Sequence, residues 1–223
     1  MGGRPAAGGG RWVEVDPARL AKWIDGFASR HGPPRSIIIG YAVRMTAPDG
    51  TTADLHPPPG APAPAAVHAP DVDLAGFLTA VTAPRRIGLL LARAGAVAVG
   101  VADGDRLVAS KVETRYVQGR TAAGGWSQQR FARRRANQAK ASANEAVDLA
   151  VRVLLPAASS LAALVCGGDR RTIDTILSDP RLAPLGRLRA DRHLPVAEPR
   201  HAVLLEAVTQ SRAIHILVRD PTP

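Results

Sequence analysis

The sequence predicts an α/β fold: a mixed sheet with flanking helices, preceded by a small N-terminal α/β extension. Three observations carry that reading. Segments of strand length alternate with segments of helical period, and from Arg85 onward the order is three strands, helix, strand, helix, helix, strand. Hydrophobic residues make up 46% of the chain, enough for a core, while aromatics are only 4%, so that core must be built from Val, Leu, Ile and Ala. With 223 residues there is room for one large domain, or for a main domain and a smaller one.

Residues 1–10 are rich in Gly, Ala and Pro and are expected to be disordered. The extension covers residues 11–84. Trp12–Val15 suits a short strand. Asp16 and Pro17 then open a helix, the aspartate as N-cap and the proline at the first helical position. Leu20, Trp23, Ile24 and Phe27 share one face at three- and four-residue spacing, and Gly32 ends the helix. Ser36–Thr46 reads as a strand with a break at Gly40. Pro48-Asp49-Gly50 is a turn signal, from which Thr51–Leu55 can return as a second strand. Residues 56–70 are Pro- and Ala-rich and read as a polyproline-like linker. Val72–Val81 follows as a short helix.

The main domain is expected over residues 85–218, with a short tail at 219–223. Ile87–Ala92 is an apolar strand and Val97–Ala102 a second. Asp103-Gly104-Asp105 makes a tight turn into Arg106–Glu113, which alternates as a third strand. Gln128–Leu155 suits one long helix, with Val147, Ala150, Val151 and Leu154 as its buried stripe and Pro156 as its end. Leu161–Val165 is a short apolar strand, buried on both faces if it pairs in parallel. Gly167-Gly168-Asp169 turns into a helix with Ile173, Ile176 and Leu177 inward. His201–Thr209 is a further helix and Ala213–Val218 the last strand.

Net charge is +10, which points to a polyanionic partner, either nucleic acid or an anionic membrane surface. No uninterrupted apolar run approaches membrane-spanning length, and residues 1–10 lack the apolar segment of a signal peptide. A soluble, cytoplasmic protein is the expectation. Cys166 is the only cysteine and lies in an apolar run. That excludes a disulfide framework and a thiolate zinc site, and places the thiol in the core.

The charge is concentrated in one place. Between Thr114 and Asn144 stand Arg115, Arg120, Arg130, Arg133, Arg134, Arg135 and Lys140, with no acidic residue among them. The stretch opens as a loop holding Gly119, Gly124 and Gly125, then continues without proline into the longest helical pattern of the chain. Unpaired N–H groups and the macrodipole at a helix start favour negative charge. Four arginines in the first two turns work against that dipole, so an external polyanion is their natural partner.

Gly124-Gly125-Trp126-Ser127-Gln128-Gln129-Arg130-Phe131-Ala132-Arg133-Arg134-Arg135 resembles the catalytic loop of archaeal and eukaryotic class-I peptide-chain release factors. That loop runs Gly-Gly-Gln-Ser-x-x-Arg-Phe-Ala-Arg-x-Arg. The likeness is closer to the Vms-like branch, the peptidyl-tRNA hydrolases of ribosome quality control, and specifically to its actinobacterial form. Gly124, Gly125, Ser127, Arg130, Phe131, Ala132, Arg133 and Arg135 match without a gap. In that register the release-factor glutamine falls on Trp126. Vms-like proteins read Gly-Gly-Ser-Gln, so Trp126 stands as an insertion ahead of Ser127-Gln128 and the glutamine is displaced rather than lost. Gln128 is the first candidate for it and Gln129 the second.

The resemblance spans roughly Arg85–Val218 and implies an RNase-H-like sheet, with the catalytic loop between the third strand and the long helix. It also implies hydrolysis of the ester joining a nascent peptide to the terminal ribose of tRNA, on stalled ribosomal large subunits. That carbonyl is already reactive, so the catalyst has to place a water and stabilise the developing oxyanion. Glycines at the tip admit close backbone approach. A glutamine amide both donates and accepts, so it can orient a water without titrating. Gln128 takes that role in this reading, with Gly124 and Gly125 shaping the tip and Gln129 the alternative. Arg115, Arg120, Ser127, Arg130, Arg133, Arg134, Arg135 and Lys140 would meet phosphates of ribosomal RNA or of the tRNA acceptor end. Trp126 would either stack on a base or anchor the loop on its own helix, and Phe131 would be core.

The expected partners are the ribosomal large subunit and peptidyl-tRNA, without DNA, membrane, metal or cofactor. No codon-reading domain is recognisable, which favours rescue over ordinary termination. Two other classes stay open: a non-catalytic RNA- or ribosome-binding module, and a nuclease acting on the tRNA acceptor end. A nuclease of this fold needs converging carboxylates. The nearest are Asp103, Asp105 and Glu113, and the first two are ordinary turn residues. There is no Gly-x-Ser-x-Gly elbow, no P-loop lysine after Gly167-Gly168, and no ligand spacing among the six histidines.

Overall fold

The structure, a computed structural model, describes residues 3–68, 71–93, 95–114 and 143–221. The chain forms two compact units: Met1–Pro84 together with Ser211–Pro223, and Arg85–Gln210.

The first unit contains β1 (Arg4–Pro5), β2 (Arg11–Val15), α1 (Leu20–His31), β3 (Arg35–Ile39), β4 (Ala42–Thr46), β5 (Thr52–His56), β6 (Ala66–His68), β7 (Asp71–Val72) and α2 (Leu74–Thr82). The second unit contains β8 (Arg86–Arg93), β9 (Ala96–Asp103), β10 (Arg106–Thr114), α3 (143–154), β11 (Ala163–Gly168), α4 (Arg170–Leu177), α5 (Ala183–Gly186) and β12 (Arg189–Leu194). From it α6 (His201–Arg212) leads back to β13 (Ile214–Arg219), in the first. Among the described residues no helix is long and apolar enough to cross a membrane.

In the first unit six strands pair antiparallel in the order β1-β2-β13-β5-β4-β3. Alternate residues of the central strands point to one face: Val43 and Met45, Ala53 and Leu55, and Ile214, Ile216 and Val218 are all buried there. Leu20, Ile24 and Phe27 of α1 and Phe77 and Val81 of α2 complete that core. The start of α1 follows its sequence signals. Asp16 Oδ1 accepts from the Ala18 N–H at 2.9 Å and Pro17 sits at the first position of the short 3₁₀ turn leading in.

Three expectations change here. Residues 4–12 are ordered, because Arg4 and Pro5 pair with Trp12 and Arg11 around a turn in which Gly8, Gly9 and Gly10 all take positive φ. Glycine supplies left-handed backbone as readily as it supplies disorder. The single strand expected over Ser36–Thr46 is a hairpin, since Gly40 at φ +57° reverses the chain between β3 and β4. The last strand, expected in the second sheet, lies at the centre of the first, between β2 and β5. Its alternation explains the placement. Ile214, Ile216 and Val218 face the helices while His215 and Arg219 do not, as befits a sheet covered by helices on one side.

The second unit has the strand order β10-β9-β8-β11-β12. β10, β9 and β8 run antiparallel, and β11 pairs in parallel with both β8 and β12. This is the α/β fold with a mixed sheet and flanking helices. Leu90, Ala92, Val97, Val99, Val101, Leu164 and Cys166 pack on one face under α3 and α4, through Val147, Ala150, Leu154, Ile173 and Ile176. Ile87, Leu89, Leu91, Ala98, Ala163 and Val165 pack on the other under Leu204, Ala207 and Val208 of α6. β8 and β11 are thus buried on both faces, the arrangement for which continuous apolar runs are suited. The fifth strand, Arg189–Leu194, was not expected. It is polar and half-exposed because it lies at the sheet edge and has one neighbour. The long helix is described over 143–154, where Val147, Ala150 and Leu154 are buried as expected and Val151 is partly so. It passes into a 3₁₀ turn holding Pro156.

Candidate functional site

Every residue that the sequence assigns to the site lies outside the described residues. This holds for Gly124, Gly125, Gln128 and Gln129, and for Arg115, Arg120, Trp126, Ser127, Arg130, Arg133, Arg134, Arg135 and Lys140. The structure describes the frame from which that segment leaves and to which it returns. Thr114, the last residue of β10, is in register with Ala96, and Ala96 with Arg93 at the end of β8. Gly168, at the end of β11, is in register with Ala92, and Gly167 with Leu194 at the end of β12. One end of the sheet therefore gathers the exit point at Thr114 and the last residues of β8, β11 and β12. At the opposite end, a Cβ on Gly88 would touch Leu154 Cδ2 at 3.4 Å, which locates the far end of α3 near the start of β8.

The Thr114 end is held by polar contacts between strands. The Asp169 N–H donates to the Ala92 carbonyl at 2.7 Å, and Gly168 before it has φ +89°. His193 Nε2 hydrogen-bonds the Gly168 carbonyl at 2.9 Å. Arg93 Nη1 donates to the Val196 carbonyl at 2.7 Å. Asp169 caps α4 by accepting from the Thr172 N–H at 2.9 Å, and that bond, with lesser help from Arg171, holds its carboxyl below the ordinary range. Arg170 and Arg171 are exposed in the first turn of α4, beside this rim.

The sequence reading did not include Arg93, Arg170, Arg171 or His193. Two adjacent arginines after a Gly-Gly-Asp turn were visible, but their place at the same end of the sheet as Thr114 depends on strand order, which no local pattern contains. His193 needs β12, whose polarity hid it.

The carboxylates considered for a nuclease do not converge. Asp103 is the last residue of β9, paired with Arg86 at 2.9 Å. Glu113 lies in register with Val97 near the other end of β10, roughly 20 Å along the strand at ~3.3 Å per residue. Among the described residues no group of three or more His, Cys, Asp or Glu could hold a metal ion. Cys166 is buried, as expected, and burial pushes its thiol up to about 11.

Residues 85–217 match the family model of the actinobacteria/chloroflexi VLRF1 release factor. The chain belongs to this family. The VLRF1 match runs from β8 into β13 and takes in the whole of 115–142, so it also includes a strand that belongs to the first unit. Two solved structures are similar. One, described as an archaeal protein, is 19% identical, covers 75% of this chain and 51% of its own, and superposes with a TM-score of 0.37. The other, the crystal structure of the archaeal translation termination factor aRF1, is 18% identical over 75% of this chain and 50% of its own, with a TM-score of 0.36. The chain spans about half the length of these structures. Among curated proteins none matches it significantly.

Proposed function

We propose that this VLRF1 family member frees nascent peptides from tRNA on stalled ribosomal large subunits, by glutamine-assisted attack of water on the peptidyl-tRNA ester. The observation that carries the reading is the family match over residues 85–217, because that span contains the Gly124–Arg135 motif. In this reading Gln128 orients the water, and the backbone at Gly124 and Gly125 approaches the ester. The arginines from Arg115 to Arg135, with Lys140, neutralise phosphates. The described frame supports it physically. The segment leaves from the end of β10 and returns in α3, both on a sheet whose central strands β8 and β11 are buried on both faces, and that end of the sheet is tied by the Asp169–Ala92, His193–Gly168 and Arg93–Val196 bonds. Catalytic loops work best when carried by a rigid scaffold of this kind. Arg170 and Arg171 extend the basic surface at that rim.

The test is incubation of purified protein with ribosome-bound peptidyl-tRNA, resolving free peptide and tRNA length. The reading expects free peptide together with full-length tRNA that can be aminoacylated again. A shortened tRNA would transfer the function to the nuclease class. A second reading, a binding module without chemistry, is favoured by one observation: Trp126 occupies the release-factor glutamine's register position. It expects ribosome binding with the ester intact.

A further inference from the structure

We propose that the face of the first unit's sheet opposite α1 and α2 is a separate binding surface for single-stranded RNA. The proposal stands on residues of this unit alone and does not depend on the hydrolase reading.

Register places the relevant side chains together. Trp12 of β2 is opposite Leu217 of β13, Leu217 is opposite Asp54 of β5, and Asp54 is opposite Arg44 of β4. In the adjacent row His215 of β13 lies between Glu14 of β2 and His56 of β5. Three rings thus meet on three neighbouring central strands. The Trp12 and His56 centroids are 5.3 Å apart at 54°, and those of Trp12 and His215 are 6.4 Å apart at 63°. The rings are tilted against one another, so neither histidine stacks flat on the indole.

Around the rings the charge is mainly positive. Arg44 donates to Asp54 through Nε and Nη2 at 2.5 and 2.7 Å, and Arg219 through Nη1 at 2.8 Å. Two guanidiniums share one carboxylate, which leaves a net positive charge on side chains that are 33% and 39% exposed. Arg35 is exposed on the same face, in register with Thr46, and Arg4 is in register with Trp12. Glu14 is the second acid of the face and lies 3.7 Å from His215.

Rings on a rigid sheet, flanked by cations, match single-stranded RNA: unstacked bases lie on the rings and phosphates meet the arginines. A duplex hides its bases from such a face. A protein partner would want an apolar centre, and the exposed large apolar residues of this unit, Ile37, Ile39 and Tyr41, lie on the edge strand β3 and the turn after it.

The test uses the full chain carrying Arg133→Glu and Arg134→Glu, so that the basic segment contributes little. Binding of a fluorescent ten-nucleotide single-stranded RNA is read by anisotropy. Trp12→Ala should weaken it by roughly five- to a hundredfold, the worth of one stacked base, and Trp12→Phe should restore most of the affinity. Arg35→Glu should weaken it and lower the log–log salt slope by about one. Should Trp12→Ala not fold, the Arg35 variant and photo-crosslinking of thiouridine-labelled RNA decide, with crosslinks expected on peptides holding Trp12, His56 or His215. Unchanged affinity in the folded variants, crosslinks confined to residues 115–142, or equal binding of blunt duplex RNA would each overturn the assignment.

Discussion

Asp169 donates its backbone N–H to the Ala92 carbonyl at 2.7 Å, joining the end of β11 to the end of β8 at the rim from which residues 115–142 depart. Gly168 makes the contact possible. A Cβ there would stand 2.2 Å from the same carbonyl oxygen, on a backbone at φ +89°. Gly168→Ala is therefore expected to destabilise the protein by about 3 kcal/mol, combining left-handed strain with overpacking. Denaturant unfolding measures this, and a loss under ~0.5 kcal/mol would mean that the rim yields without cost.

The catalytic assignment is tested at two glutamines and one glycine. Gln128→Ala should cut peptide release by ~10²–10³ while ribosome binding stays close to wild type. Gln129→Ala should matter less, because in the helix that the sequence predicts from Gln128 the next residue would point about 100° away. Gly125→Ala should also impair release, since a Cβ would crowd the approach to the ester. Inactivity in Gln129→Ala alone moves the register by one residue. Wild-type rates in both glutamine variants and in their double mutant end the glutamine mechanism.

Ribosome affinity should fall steeply with salt, with a slope set by the phosphates engaged. Arg133→Glu with Arg134→Glu should weaken binding and flatten that slope without unfolding the chain. Arg170→Glu with Arg171→Glu should do so to a smaller degree, because both residues are exposed beside the Thr114 rim. Equal affinity in the Arg170/Arg171 variant would confine the interface to the basic segment.

Asp54 gives the first sheet a defined pH dependence. Burial alone would raise its carboxyl, but hydrogen bonds from Arg44 and Arg219 outweigh that and hold it below the ordinary range. A depressed carboxyl contributes stability above its unfolded pKa of about 3.9 and loses that contribution as pH falls through the folded value. Asp54→Asn should cost about 2 kcal/mol at neutral pH, less than the loss for a fully buried pair because both arginines are about a third exposed. The gap between wild type and variant should close below pH ~4, as thermal unfolding across pH would show. A gap that persists unchanged at pH ~2 would assign the cost to packing.

Much of the fold was legible because its signals are local. β8, β9 and β10 are apolar or alternating runs, with a two-residue turn between the last two, and α3 keeps its buried stripe where described. What local pattern lacks is destination. Ile214–Arg219 reads as a strand in isolation, yet only pairing with β2 and β5 puts it in the first sheet. Arg189–Leu194 carries too little apolar content to announce itself. The glycines at positions 8–10 have one composition and two outcomes, and pairing of Arg4 with Trp12 selects the turn. The candidate segment was proposed from its motif and the resemblance that motif carries and lies outside the described residues, whereas the rim built from Ala92, Gly168 and His193 required the strand order.

The position of β13 sets an order of events during synthesis. β5 is made roughly 160 residues before the strand that must lie beside it. At ~5–20 residues per second, the nascent chain spends roughly 10–30 s with facing edges of β2 and β5 unmatched. Unpaired edges of this kind invite mispairing, so the earliest-made unit is also among the last to close. A ribosome halted anywhere within the message for the second unit would hold a chain whose first sheet still lacks its central strand.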